Sequence, residues 1–136
     1  IPTTPFTNQG DVDVTSFRRV IDFCVACGAR GLVYPVNASE FATLSDEERM
    51  TMSEILVEQN AGQIPTVIGV QHLSAETSVK FAAHAREIGA DSVIAMPPYA
   101  WKKAPSMMRS TNTIARSPAQ PGSRYSCRTT CLRSGS

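Results

Sequence analysis

The chain has 136 residues, of which 42% are hydrophobic and 18% charged, and its formal net charge is +1. This composition suits a globular domain with its own core, and no apolar run approaches the roughly 18 residues that a membrane span needs. No charged start followed by an apolar segment marks a secretory signal. We therefore expect no membrane partner, and a cytoplasmic location in which the 4 cysteines stay reduced.

The overall charge conceals two unlike segments. Residues 1–91 hold 6 basic and all 12 acidic residues, a net charge of −6, whereas residues 92–136 hold 7 basic residues and no acidic one. Apolar periodicity ends at about the same place. We therefore divide the chain into a folded part, residues 1–105, and a basic tail rich in Ser, Thr and Arg, residues 106–136, which is expected to be disordered.

The predicted elements begin with a strand and a helix. Ile1–Thr4 is expected to end a first strand. Asp13 then caps a helix over residues 14–27, whose apolar side chains recur at helical spacing, and Gly28 ends it. Gly31–Tyr34 follows as a short apolar strand.

Two further helix and strand pairs follow in the same order. A capping box of Ser45 and Glu48 predicts the start of a second helix, and Ser74 the start of a third. Thr66–Val70 and Ser92–Ala95 are the apolar strands that follow these helices. The whole pattern reads β-α-β-α-β-α-β.

Such alternation predicts parallel strands joined by right-handed crossovers. The stretch Cys27–Val33 is echoed by Ile88–Ile94, and both mark a helix end that runs into a strand. Repetition of one βα unit favours a barrel over an open nucleotide-binding sheet, and neither phosphate-binding fingerprint, G-x-G-x-x-G or G-x-x-x-x-G-K-[ST], is present. The expected fold class is α/β, a partial (β/α)₈ TIM barrel of about four βα units.

Several segments match one enzyme family in order and spacing. They are Thr3–Phe6 with Gly10–Asp13, Gly28–Val33, Ser39–Arg49, Pro65–Val70, Gly89–Asp91 and Pro97–Tyr99. Over roughly residues 1–105 the chain resembles the dihydrodipicolinate synthase / N-acetylneuraminate lyase family. The resemblance implies a TIM barrel, typically in a homo-oligomer, that needs no cofactor. It also implies a lysine that forms a Schiff base with a small-molecule 2-keto acid, usually pyruvate, before a carbon–carbon bond is made or broken or a sugar acid is dehydrated.

The resemblance also implies where the substrate carboxylate binds. The family carries Gly-Thr-Thr-Gly-Glu after its second strand, and the matching stretch here is Val36–Glu40, in which only Glu40 is retained. Asn37 and Ala38 stand where the threonines stand. We expect Asn37, Ala38, Ser39 and Glu40 to bind the substrate, with Asn37 and backbone N–H groups as donors. For Glu40 the alternative is a structural hydrogen bond in the loop or at the helix entry. Ala38 has no hydroxyl to relay a proton.

Three other features have competing interpretations. His72 follows the third strand, so it is either a substrate contact at the barrel mouth or a structural residue. Tyr99 is a candidate catalytic relay, or an interface or packing residue, and Ala100 replaces a second tyrosine common in the family, which points away from dihydrodipicolinate synthase itself. Cys24 and Cys27 have zinc or redox spacing, but the last turn of a helix disfavours thiolates, so we expect packing and no metal site.

The Schiff-base lysine is expected to be absent from this chain. The lysines present are Lys80, Lys102 and Lys103, and none matches the family position on the sixth strand. A complete barrel needs about 250 residues. The chain is therefore interpreted as part of a 2-keto acid lyase or, alternatively, as an inactive barrel fragment with at most a binding or assembly role. A small α/β domain with a nucleic-acid-binding tail is a third interpretation, but one aromatic beside one basic pair is weak support, and no nucleic acid partner is expected.

A shifted reading frame explains the tail. When one G is restored before the codon for Met107, one consistent choice of codons gives DDEIYEYYRAIARAARFPVFMQDNVPPLG. This string contains an acidic helix start, a helix, and an apolar strand that ends in Asn-Val-Pro, which resembles what the family has after its fourth strand. Our hypothesis is that one base was lost near Ser106, either in the gene or in its sequencing.

Sequencing the coding DNA through codon 106 tests this hypothesis. We expect the DNA, or a second independent read of it, to contain one more base than the present frame implies. Peptides that span Met107–Ser136 in a mass spectrum of the expressed protein, together with an uninterrupted frame, would contradict it.

Overall fold

The computed structural model describes residues 1–96, in which three helices alternate with three parallel strands. Two short 3₁₀ turns lie between the first strand and the second helix. The bounds are α1 Val14–Ala26, β1 Leu32–Tyr34, the turns Asn37–Ser39 and Phe41–Thr43, α2 Asp46–Asn60, β2 Thr66–Gly69, α3 Ala75–Glu87 and β3 Ser92–Ile94. The predicted alternation is confirmed, and the expected tail at 106–136 lies outside the described residues.

The three helices start at the predicted caps. The Asp13 carboxylate accepts hydrogen bonds from Ser16 N at 2.9 Å and Ser16 Oγ at 2.6 Å. In the capping box, Glu48 N donates to Ser45 Oγ at 3.2 Å and Ser45 N donates to Glu48 Oε2 at 2.8 Å. At the start of α3, Thr77 N donates to Ser74 Oγ at 3.4 Å. These bonds satisfy backbone donors that a helix leaves free at its first turn.

The sheet has the order β1-β2-β3, and both pairings are parallel. Leu32 pairs with Thr66, and Val67 pairs with Ser92. The Asp91 carboxylate accepts hydrogen bonds from Thr66 N at 2.7 Å and Thr66 Oγ1 at 3.0 Å, which ties the starts of β2 and β3 together. The carboxyl ends of the three strands consequently lie along one edge.

The core lies between one face of the sheet and the helices. Phe17 of α1 packs on Tyr34 of β1 with ring centroids 4.8 Å apart. The other residues of this core come from all three helices, from the strands and from the segments that adjoin them: Ile21, Leu32, Leu44, Met52, Ile55, Leu56, Ile68, Val70, Phe81, Ala85 and Ala90. No helix within residues 1–96 is long and apolar enough to cross a membrane.

The strand expected at Ile1–Thr4 is not formed, so that prediction is wrong. Pro2 and Pro5 have no N–H to donate to a ladder. The segment is held by other contacts, which include the hydrogen bond from Asp13 N to Pro5 O at 2.9 Å and a single antiparallel bridge between Phe6 and Val12.

The core can be tested with two phenylalanines of the same helix. Phe17 is fully buried, whereas the Phe23 side chain is 67% exposed. We expect Phe17→Ala to lower the free energy of unfolding by about 3–5 kcal/mol because it leaves a cavity. Phe23→Ala should change it by about 0.5 kcal/mol or less. Urea titrations followed by circular dichroism measure both, and equal losses would contradict this core.

Candidate functional site

The loops that follow β1 and β2 meet at the carboxyl edge of the sheet. Gln71, just after β2, donates from Nε2 to Pro35 O, just after β1, at 3.0 Å. Parallel barrels place their chemistry at this edge. The predicted substrate-binding residues Asn37, Ala38, Ser39 and Glu40 follow Pro35 directly. We name residues 36–40 the β1 loop.

The β1 loop is anchored through Ser39. This residue is fully buried, and its hydroxyl donates to Pro2 O at 2.9 Å. Its carbonyl accepts a hydrogen bond from Thr4 Oγ1 at 2.7 Å. The Ser39 hydroxyl therefore binds the protein itself, whereas Asn37 and Ala38 on the same turn are exposed at the surface. Ser39 is thus the one buried residue among the four predicted to bind the substrate.

Glu40 occupies the left-handed region of the backbone, with φ 56° and ψ 37°. This conformation is uncommon for residues other than glycine. Its carbonyl accepts from Thr43 Oγ1 at 2.7 Å, and this bond joins the two 3₁₀ turns. The residue is exposed. Glu40 thus shapes the chain reversal after the β1 loop and leaves its carboxylate at the surface.

The structure places His72 at the starts of α2 and α3. Nδ1 accepts a hydrogen bond from Ser74 N at 2.9 Å, so in the neutral ring the proton is on Nε2. Nε2 lies 3.8 Å from Asp46 Oδ1, and the ring meets Phe81 edge-on with centroids 6.1 Å apart. Within residues 1–96 no hydrogen bond or ion pair links His72 to the β1 loop. These contacts favour the structural interpretation of this histidine.

Tyr34 is a buried hydroxyl at this edge that the sequence analysis missed. The Tyr34 hydroxyl lies 3.0 Å from Thr4 Oγ1, and Thr4 gives its only hydroxyl proton to Ser39 O, so Tyr34 must be the donor of their shared bond. Burial raises the pKa of Tyr34 to about 12. Tyr34 therefore stays protonated and supports the β1 loop through Thr4.

Arg49 is a second residue that the sequence analysis missed. It lies in the first turn of α2 and is only 4% exposed. Its Nη2 donates to Gly69 O at 3.2 Å and to Gln71 O at 3.1 Å. The residue shares a helix face with Met52 and Leu56, three and seven positions later, so the helical spacing could have predicted its burial.

Two other expectations concern metals and Tyr99. Within residues 1–96, no group of three or more His, Cys, Asp or Glu side chains is placed to hold a metal ion. Cys24 is half-buried against the core and Cys27 is exposed, and both are free thiols. Tyr99, with Lys102 and Lys103, lies outside the described residues.

Most of the chain matches the model of one known protein family. The model described as the dihydrodipicolinate synthetase family matches residues 1–127. The chain belongs to that family. The resemblance seen in the sequence is thereby confirmed, and so is the TIM-barrel character of the fold. The match enters the segment 106–136, and the domain boundary at residue 105 stays a prediction.

Individual members of the dihydrodipicolinate synthetase family agree with this placement. The chain is 37% identical over 103 residues to the probable 2-dehydro-3-deoxy-D-pentonate aldolase YjhH of Escherichia coli K12, and 34% identical over 99 residues to L-2-keto-3-deoxyarabonate dehydratase of Azospirillum brasilense. These matches cover 76% and 73% of the chain but 34% and 32% of the relatives. The chain thus spans about a third of the length of these relatives.

A solved structure shows the same fold. YagE, a prophage protein of E. coli K12 crystallised in complex with pyruvate, superposes with a TM-score of 0.71 at 28% identity. The superposition covers 76% of this chain and 35% of YagE. The described βα units therefore correspond to a part of a family barrel.

The buried Tyr34 hydroxyl predicts a pH dependence. The folded pKa of about 12 exceeds the ordinary value of 10.0, so the folded state keeps a proton that the unfolded chain releases. Its contribution to stability is complete below pH 10 and is lost as the pH rises toward 12. We expect the urea midpoint of Tyr34→Phe to fall less between pH 9.5 and about 11 than that of the parent chain. Parallel declines in the two proteins would contradict the burial of this phenol.

Proposed function

We propose that this chain is part of a class I lyase that acts on a 2-keto acid, such as pyruvate, through a lysine Schiff base. The family match over residues 1–127 carries this proposal. The pyruvate complex of YagE supports the choice of a 2-keto acid. The exposed Asn37 and Ala38 at the carboxyl edge of the sheet lie where such a barrel holds its substrate.

Within this class, a 2-keto-3-deoxy sugar acid is the favoured substrate. The pentonate aldolase and the arabonate dehydratase, at 37% and 34% identity, both carry such acids in their names. Ala38 supports the same choice, because the hydroxyl that the synthase motif has at this position is missing. Pyruvate is then the three-carbon product or partner that an aldolase of this kind releases or consumes.

In the proposed mechanism, the β1 loop holds the carboxylate and does not supply the nucleophile. The Asn37 amide and the backbone N–H groups of Asn37 and Ala38 donate to the carboxylate and turn the keto carbon toward the amine. A neutral lysine amine attacks that carbon, and the oxygen leaves as water after two proton transfers. The protonated imine then accepts the electron pair from the bond that breaks.

The reacting amine is proposed to lie outside the described residues. Lys80 lies on the solvent face of α3 and forms an ion pair with Glu76 at 3.4 Å, so it does not face the carboxyl edge of the sheet as a nucleophile would. Lys102 and Lys103 do not match the family position. In the proposal, the amine is encoded downstream of the lost base near Ser106, and the chain as written has little or no lyase activity.

The same proposal places the protein in the cytoplasm and in a homo-oligomer, as is typical of the family. The alternative function is that of an inactive fragment with at most a binding or assembly role. This alternative is kept because the matches cover 34% and 32% of the relatives, a part of their length. The two proposals differ in whether any lysine traps a keto acid.

Reductive trapping distinguishes them. The chain as written, and the protein read through from the same DNA with one G restored, are each incubated with pyruvate and then with borohydride. We expect no adduct on the chain as written, and on the restored protein a mass gain of one pyruvic acid less one oxygen, at a single lysine. A 2-keto-3-deoxypentonate should give the same adduct if the protein is an aldolase.

A matched pair of asparagine variants tests the carboxylate grip. In the restored protein, Asn37→Ala should lower the adduct yield at limiting pyruvate by about tenfold, the value of one hydrogen bond to a charged group. Asn8→Ala, at an exposed turn, should leave it unchanged. An adduct on Lys80, Lys102 or Lys103 of the chain as written would contradict the proposed absence of the amine.

A further inference from the structure

Gln71 reaches across the carboxyl edge of the sheet to the residue that precedes the β1 loop. It is 5% exposed, and its Nε2 donates to Pro35 O at 3.0 Å. The bond joins two loops that are 36 residues apart in the chain. Pro35 directly precedes Val36, so this contact determines where the β1 loop begins.

The contact depends on a close approach at Gly69. A Cβ added to Gly69 would lie 2.0 Å from Pro35 O and 2.9 Å from Gln71 Oε1. The Pro35 carbonyl therefore packs directly on the β2 backbone, where no other residue type fits. The glycine gives the Gln71 amide room to lie over the strand end.

Arg49 fixes the strand end on the other side. Its Nη2 bridges the carbonyls of Gly69 and Gln71 at 3.2 Å and 3.1 Å, on either side of Val70. The guanidinium lies over the Phe81 ring at 4.3 Å from its centroid, so it is held by stacking as well as by hydrogen bonds. Burial lowers the pKa of Arg49, but a guanidinium still keeps its charge at neutral pH.

Two polar atoms of this chain of contacts are unsatisfied. Within the described residues, Arg49 Nε and Gln71 Oε1 are buried without a hydrogen-bond partner. A leucine at position 71 would avoid the penalty of the unpaired amide oxygen. The protein nevertheless has glutamine here, with one amide oxygen unpaired. This indicates that the role of Gln71 is its hydrogen bond to Pro35 O and not only packing in the core.

We propose that Arg49 and Gln71 are positioning residues for the substrate-binding loop. Arg49 holds the end of β2, Gln71 transmits that position to Pro35, and Asn37 and Ala38 are thereby set at the barrel mouth. The loop is fixed on its far side by Ser39, which binds Pro2 and Thr4. The functional part of this inference rests on the proposed function, because it assigns a substrate to the loop that the two residues hold.

Amide hydrogen exchange measured by NMR on the full chain, with no substrate present, tests this proposal. The reporters are Ser39 N, which donates to Val36 O at 2.9 Å, and Glu40 N, which donates to Asn37 O at 3.0 Å. The reference for global opening is the amide of Ile21, fully buried in α1. A local role predicts that the reporters respond more strongly than the reference does.

We expect Gln71→Leu to accelerate exchange at Ser39 and Glu40 about tenfold more than at Ile21. The matched control, Gln63→Leu, removes an exposed glutamine from the turn after α2 and should change neither. If Gln71→Leu does not fold, Gln71→Asn provides the measurement, because it keeps an amide but withdraws it by one methylene. Equal acceleration at all three amides, or none at the reporters, would overturn the proposal.

The role of the Arg49 charge is tested by comparing a neutral variant with one that keeps the charge. Arg49→Met should accelerate exchange at Ser39 and Glu40 as Gln71→Leu does, whereas Arg49→Lys should restore most of the protection because an ammonium can still reach the two carbonyls. Lack of protection in the lysine variant, with Ile21 unchanged, would overturn the role of the charge. These exchange measurements use no keto acid, so a negative result does not contradict the proposed function. Equally, a negative trapping experiment does not contradict the positioning role of Arg49 and Gln71.

Discussion

The parallel pairing of β1 with β2 is the constraint on which the rest of the site depends. Tyr34 pairs with Ile68, so the residues after each strand emerge side by side at one edge of the sheet. Only this register brings Gln71 within 3.0 Å of Pro35. A slip of one residue would turn every side chain of the strand to the opposite face and would remove the contact.

Burial explains why the polar side chains near this edge form hydrogen bonds with other segments of the chain. Tyr34, Arg49 and Ser39 are all withdrawn from water, and each binds a backbone carbonyl or a hydroxyl of another segment. A buried polar group that loses its hydrogen-bond partner is costly. The hydrogen bonds of these three residues therefore hold together the segments that they join. Within residues 1–96, the Asn37 side chain has no such partner, which leaves its amide donors available to a ligand.

Local signals in the sequence were sufficient to predict the helix caps, three of the four expected strands and the order of these elements. Asp13, Ser45 and Ser74 each act within one helical turn, so their neighbours in the chain determine their role. Arg49 and Gln71 act over 20 and 36 residues, and no local pattern carries that information. The helical spacing of Arg49 could have indicated its burial, but its partners depend on the strand order.

The errors have physical causes as well. Ile1–Thr4 was expected to end a strand, but Pro2 within it and Pro5 directly after it have no N–H to donate to a ladder. His72 was correctly placed after β2, but its ring direction depends on Ser74, Asp46 and Phe81, which belong to two helices. The end of a strand therefore locates a residue at the mouth without deciding which way its side chain faces.

Charge sets a further requirement on the proposed site. Residues 1–91 carry a net charge of −6, and the substrate of the proposed reaction is itself an anion. Within residues 1–96, the cation in contact with this edge is Arg49, which is buried and gives its Nη2 protons to backbone carbonyls. In the proposed site, the β1 loop therefore offers neutral donors to the carboxylate. The positive charge that balances the carboxylate must then arise at the amine, as the imine forms and is protonated. In this arrangement the neutral donors bind the ground-state carboxylate weakly. The charge that develops at the amine strengthens binding only as the reaction proceeds. Binding that is stronger in the transition state than in the ground state is the condition for catalysis.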